Sequence, residues 1–182
     1  MPATPYTFDA AHSSVNFHAR HMVVSKVHGQ FKKWTGTLLI DEADYTRSSV
    51  EVHIDASSVD TQVGQRDDHL RSPDFLDVQT HPEIVFKSTR IERVSDEHYR
   101  IVGDLTIRGV TKEVTLETEF NGRQKSPWGD ERAGFSASTT IDRSQWALTY
   151  NKVLETGGLL VSDKIGIAIE VEAIRQAATA AA

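Results

Sequence analysis

The sequence predicts an all-β fold, an eight-stranded antiparallel β-barrel (about eight alternating runs are legible) with one helical insertion and a hydrophobic interior. Three observations carry this. Apolar residues recur with a period of two in run after run, as in strands with one dry and one wet face. Helical spacing appears in a single stretch, near residues 57–71, so little helix is available to cover a sheet. An open sheet of that size would leave two long edges and a bare apolar face, and closure removes both problems.

In chain order, "SVNFHARH" sets Val15, Phe17, Ala19 and His21 against Asn16, His18 and Arg20. "VEVHID" sets Val50, Val52 and Ile54 against Glu51, His53 and Asp55. "RIVGDLTIRG" gives one face to Ile101, Gly103, Leu105 and Ile107, and "EVTLETEF" gives one to Val114, Leu116, Thr118 and Phe120. "GFSASTTID" groups Phe135, Ala137, Thr139 and Ile141, and "KIGIAIEVEA" groups Ile165, Ile167, Ile169 and Val171. "GQFKKWTGTLLID" and "EIVFKSTRIE" also alternate but change phase once, which predicts a bulge or sharp bend in each. Turn signals such as "RVSDEH", "IRGVT" and "FNGRQKSPWGDE" separate the runs, and their charged outer faces favour antiparallel pairing. No composition shift or internal repeat divides the chain, which reads as one domain over residues 1–176 with a frayed tail at 177–182.

Within "QVGQRDDHLRSPDFLDV", a helix beginning near Ser57 or Ser58 would align Val59, Val63 and Leu70 on one stripe. Arg66 falls on that stripe, and a guanidinium on a buried face needs a partner. Two partners present themselves. One is a distant acid, Asp74, Asp77 or Asp9, which would fasten the helix across the barrel mouth. The other is a ligand head group, met by Arg66 together with His69 one turn on.

The chain has 182 residues and a net charge of −6, from 26 acidic against 20 basic residues. That balance, with no local Lys/Arg cluster, argues against nucleic acid as a partner. It also disfavours stable attachment to an anionic membrane surface. No apolar run approaches the ~20 residues that span a bilayer, so membrane insertion is not expected. The absence of cysteine excludes disulfides, thiolate metal sites and cysteine nucleophiles. The N-terminus has neither a basic start nor an apolar core segment, and the expected localisation is cytoplasmic.

An eight-stranded barrel either fills itself with side chains or holds one small ligand. The inward set contains Ala19, Gly103, Thr118, Ala137 and Thr139, so bulky residues alternate with gaps. The strand pattern leaves both a hollow interior and a tapered, self-filled one open.

Several segments together resemble the YceI-like family in order and spacing: "FDAAHSSVNFHARHMVVSKVHGQF", "QRDDHLRSPDFLDV", "HPEIVFKST", "GDLTIRGVTKEVTL" and "LLVSDKIGIAIEVEA". The resemblance runs from about Tyr6 to Ala173, and the "RDDHL" segment and the "D…HS…F…H" opening are its most specific parts. It implies a lipocalin-like barrel around a long hydrophobic pocket, and a ligand of the isoprenoid type, polyprenyl or quinone. Departures are Leu76 where an aromatic is commoner and Glu113 where proline is frequent. Many members carry a secretion signal, which this chain does not show.

These readings give a candidate cavity lining of Val15, Phe17, Ala19, His21, Leu105, Phe120, Phe135, Ala137, Ile167 and Ile169. Arg66, His69 and Trp146 are the candidates for the head-group end or mouth. Trp146 would act with Leu148 and Leu154 as a lid or plug, unless it simply packs on the rim. His21 ends an apolar face, where it could meet a head group, bond a buried carboxylate such as Asp9, or be satisfied by backbone. The eight histidines show no ligand spacing, so neither metal nor other cofactor is expected. A Ser13–His12–Asp9 triad can be assembled on paper but lacks a nucleophile elbow, and no catalytic residue is assigned. The expected function is binding, sequestration or transport of a long apolar molecule. The alternatives are an enzyme acting on an apolar substrate in the same cavity, and a self-filled interaction module. A homodimer stays open.

Overall fold

A computed structural model describes residues 2–177. Apart from Ala177, the expected tail lies outside the described residues. The strands are β1 (Thr4–Phe8), β2 (Ser14–His21), β3 (Ser25–Phe31), β4 (Trp34–Ile40), β5 (Ser49–Asp55) and β6 (Val59–Asp60). After helix α1 (Gly64–Arg71) come β7 (Glu83–Arg93), β8 (His98–Ile107), β9 (Val110–Lys125), β10 (Glu131–Asp142) and β11 (Val161–Arg175). All pairings between these strands are antiparallel, and β11 closes the ring by pairing with β2 along its first part and β1 along its last.

Although the chain breaks into eleven strands, the wall has eight lines, because the first six strands are three lines each broken once. β1 continues as β2, β3 as β4 and β5 as β6, and the breaks lie side by side. Asp9 accepts from the Ala11 amide at 3.0 Å and caps a 3₁₀ turn over Ala10–His12. Ser58 stitches the other two breaks: its carbonyl accepts from Lys32 N at 3.2 Å and its Oγ from Lys33 N at 3.1 Å. The phase change expected in "GQFKKWTGTLLID" is this bend, and the one in "EIVFKSTRIE" is a bulge between Ser88 and Arg90.

The helical insertion differs from expectation. Residues 57–71 do not form one helix: a 3₁₀ turn over Ala56–Ser58 and the short β6 occupy the first part, and α1 begins at Gly64. Val63 is 46% exposed, so the supposed apolar stripe is not the buried face. The buried residue of α1 is Asp67, which accepts from Thr61 N at 2.9 Å and Thr61 Oγ1 at 2.5 Å. A polar closure of the loop before the helix fixes its orientation, and apolar periodicity carries no trace of it.

Two packed groups support the barrel. One surrounds Ile54, Phe86, Leu105, Leu116, Ile141 and Trp146. The other, around Tyr6, Ile40, Ala133 and Ala173, closes the end where β1 meets β11. There Glu42 accepts from Tyr6 Oη at 2.8 Å and from Arg175 Nε at 2.7 Å, joining both sides of the seam.

Candidate functional site: an apolar cavity

The inward faces enclose a cavity of about 320 Å³ running along the barrel. Val15, Phe17 and Ala19 of β2 face Ile165, Ile167 and Ile169 of β11, and Ala137, Thr139 and Ile141 of β10 continue the wall. Val50, Val52 and Ile54 of β5 and Leu105, Val114 and Leu116 of β8 and β9 complete much of the circumference. The lining therefore follows the period-two pattern of the sequence.

Gly103 does not supply the space its size suggested, and Gly29 is used in the same way. A Cβ on Gly29 would come within 2.3 Å of the Phe17 ring, and one on Gly103 within 2.6 Å of the Phe86 ring. Each ring lies over a bare stretch of neighbouring backbone. The glycine thins the wall so that a large side chain can lie against it, and the cavity stays open beside the ring.

Both ends carry aromatic residues. At the β1/β11 end Tyr45 meets Tyr99 and Phe120 edge-to-face, at 5.6 Å and 5.2 Å. At the other end Leu70 of α1, Phe75 and Leu76 after it, and Leu148 reach the cavity from loops.

Among the described residues the lining holds no carboxylate, imidazole, amine or thiol. Its one ionised side chain is Arg143, buried at the end of β10. Nε donates to Ser162 O at 3.0 Å, Nη1 donates to Leu148 O at 2.6 Å, and Asp163 lies 3.6 Å from Nη2. The guanidinium stands 5.9 Å from the Phe75 ring, and burial pushes its pKa below the ordinary arginine value. Sequence reasoning missed Arg143, yet the signal was present: Phe135, Ala137, Thr139 and Ile141 alternate inward, and one more step lands on Arg143. It also missed Phe31, which lines the cavity beside the Lys32–Lys33 break.

Val15, Phe17, Ala19, Leu105, Phe135, Ala137, Ile167 and Ile169 line the cavity. Phe120 and His21 do not. Phe120 packs into the closed end against Tyr45 and Phe135, at 5.2 Å and 5.4 Å. His21 is the last residue of β2, beyond the lining, and the length of that strand separates it from Asp9. Trp146 is neither lid nor plug. It is 2% exposed, packs in the core and donates from Nε1 to Leu105 O at 2.9 Å.

Arg66 and His69 also lie off the cavity, and the acid expected opposite Arg66 is not there. Arg66 donates from Nε to Thr61 Oγ1 at 2.7 Å and from Nη2 to Thr61 O at 2.8 Å. The guanidinium secures the same loop that Asp67 caps. His69 bonds Asp74 at 2.9 Å and packs edge-on against Phe75 and Tyr150.

The donor atoms of Asp9, His12 and Glu172 lie within 4.8 Å of one another, in reach of a common metal ion. Arg132 already occupies them: Nη1 donates to Asp9 at 2.8 Å and also to Glu172. The Asp9–His12 bond of 2.9 Å raises the His12 pKa and lowers that of Asp9. Ser13 turns away and donates to the Glu172 carbonyl at 3.3 Å, so the paper triad does not assemble.

A closed antiparallel barrel around an apolar hollow is the architecture of the lipocalin-like binding folds. Within that class the chain belongs to the YceI-like family, whose domain model matches residues 6–173. It is 39% identical over 176 residues to Protein YceI of Escherichia coli O157:H7, covering 96% of this chain and 88% of that one. The crystal structure of the Campylobacter jejuni YceI protein superposes with a TM-score of 0.76 at 32% identity, over 87% of this chain and 90% of that one. A polyisoprenoid binding domain from Saccharophagus degradans shares the fold, with a TM-score of 0.68 at 15% identity over 94% and 98% of the two chains.

Proposed function

We propose that this protein binds a long-chain apolar molecule of the isoprenoid type inside the barrel, and sequesters or carries it. The observation that carries the reading is the apolar cavity running along the barrel. Each methylene transferred from water contributes about 0.8 kcal/mol, so an extended chain gains affinity along its whole length. Ordering the chain offsets part of that gain. The wall then selects by length and girth, since it presents few polar atoms to read. The name of the Saccharophagus degradans domain supports the ligand class, as that protein is described as binding polyisoprenoids on the same fold. The described lining carries no carboxylate or imidazole to serve as a general base, which supports binding over catalysis in this cavity.

The test is Ala137→Phe, which places a ring in the hollow at a position far from both ends of β10. The variant should fold, by circular dichroism, yet take up much less of an apolar fluorescent dye and of a polyprenol than the wild type. Undiminished uptake of both would show that ligand binds elsewhere.

A further inference from the structure

Exposed apolar side chains are concentrated at one end of the barrel. Met22, Val23 and Val24 form the turn between β2 and β3, and Val153 and Leu159 face each other across a small hairpin before β11. Val24 is 81% exposed and Val153 76%. The two tips adjoin: Met22 N donates to Leu160 O at 2.9 Å, and a Cβ on Gly158 would lie 3.9 Å from the Val23 side chain. Directly behind them stand Ala19 and Val161, the last cavity-lining residues of β2 and β11 before the tips.

The turn is a costly one. Met22 and Val23 have φ of 52° and 66°, the left-handed region that β-branched side chains avoid and that Asn or Gly occupies readily. Strain kept in order to hold Val23 outward fits a working surface better than a packing need.

The charges around the tips are equally uneven. Arg20 and Lys26 pair across β2 and β3, and Lys152 precedes Val153; all three are exposed and make no salt bridge among the described residues. Glu155 is the one carboxylate on the two tips. Apolar tips ringed by unpaired cations, on a chain of net charge −6, match an interface of apolar interior and anionic surface.

We propose that this end of the barrel docks reversibly on an anionic lipid surface, with Met22, Val23, Val24, Val153 and Leu159 entering the headgroup layer and Arg20, Lys26 and Lys152 meeting phosphate. The overall negative charge opposes tight binding and keeps the contact transient. Docking in this orientation points the cavity end formed by Ala19 and Val161 at the bilayer. That the docked end serves ligand exchange rests on the apolar-ligand reading; the docking itself does not.

The experiment is sedimentation of the full chain with phosphatidylcholine vesicles, with and without phosphatidylglycerol, at low and high salt. Wild type should bind the phosphatidylglycerol vesicles at low salt and release at high salt. Arg20→Gln/Lys26→Gln should lower the partition coefficient by about tenfold to thirtyfold. Val24→Ser/Val153→Ser should also weaken the low-salt binding, although it leaves every cation in place. Trp128→Ser, at the opposite end, should bind as wild type. Dye uptake without vesicles should be the same in all four proteins. Failure of wild type to bind vesicles while the dye still enters would overturn docking and leave the cavity reading intact. Vesicle binding without dye uptake would do the reverse. Tip variants that bind as wild type would overturn the proposal. So would concentration-dependent dimerisation of wild type that the tip variants abolish, since a second copy would then own the surface.

Discussion

Trp146 donates its indole N–H to the carbonyl of Leu105, at 2.9 Å, and so ties the end of β10 across the barrel to β8. Both residues are buried, and the bond spans the segment that follows β10. Trp146→Phe keeps most of the ring volume but removes this hydrogen bond, which should cost about 0.5–1.5 kcal/mol in urea unfolding. Trp146→Ala should cost about 3–5 kcal/mol, because it also opens a cavity. Equal midpoints for Trp146→Phe and wild type would show that the bond contributes nothing.

Arg143 holds two backbone carbonyls, Leu148 O and Ser162 O, from one buried fork. Arg143→Met fills the space but leaves both carbonyls unpaired, and should cost roughly 1–3 kcal/mol. Arg143→Lys should recover only part of this, since an ammonium on a flexible stem does not reproduce the planar fork. Amide hydrogen exchange should quicken around Leu148 in Arg143→Met. Unchanged exchange there would contradict the role given to Arg143.

For Arg66 the structure reverses the expectation drawn from the helical stripe. Arg66→Met should cost only about 0.5–1.5 kcal/mol, because Thr61 keeps Asp67 as its acceptor. Asp67→Ala should cost more, about 1–3 kcal/mol, since it strands a buried amide and hydroxyl. Neither change should alter apolar-ligand affinity. A selective loss of ligands bearing an anionic head group in Arg66→Met would restore the head-group role.

The seam at Tyr6, Glu42 and Arg175 should give the protein two pH limits. The hydrogen bond from Arg175 holds the Glu42 pKa below its ordinary value, so its contribution is present above the unfolded pKa and is lost as pH falls through the lower folded one. Burial, with Glu42 as acceptor, pushes the Tyr6 pKa from 10.0 to about 12. That contribution is complete below the unfolded value and is lost as pH rises towards the folded one. Stability curves of Glu42→Gln and Tyr6→Phe should therefore flatten on the acid and alkaline sides respectively. Curves parallel to wild type across both ranges would contradict the assignment.

The barrel was legible because a strand facing water on one side writes its fold as alternation. One of the three breaks showed as well, as the phase change around Lys32–Lys33, and so did the bulge after Ser88. What stayed hidden was polar. Asp67 and Arg66 orient α1 through hydrogen bonds to Thr61, and no hydrophobic period records such bonds. Phe120 continues the inward alternation of β9 and still misses the cavity, because Tyr45 from the 3₁₀ turn at Tyr45–Arg47 fills the barrel at that depth. Which strand positions border space and which border another ring depends on loops far away in sequence. Gly103 shows the same point from the other side, since the room it leaves belongs to Phe86.

If the apolar hollow holds a ligand, mass spectrometry of an organic extract of the purified protein will find it. The extract should contain a long-chain apolar molecule of isoprenoid type, released unchanged on denaturation and reduced in Ala137→Phe. An extract with no apolar molecule, from protein that also fails to take up polyprenol or an apolar dye, would contradict the apolar-ligand reading.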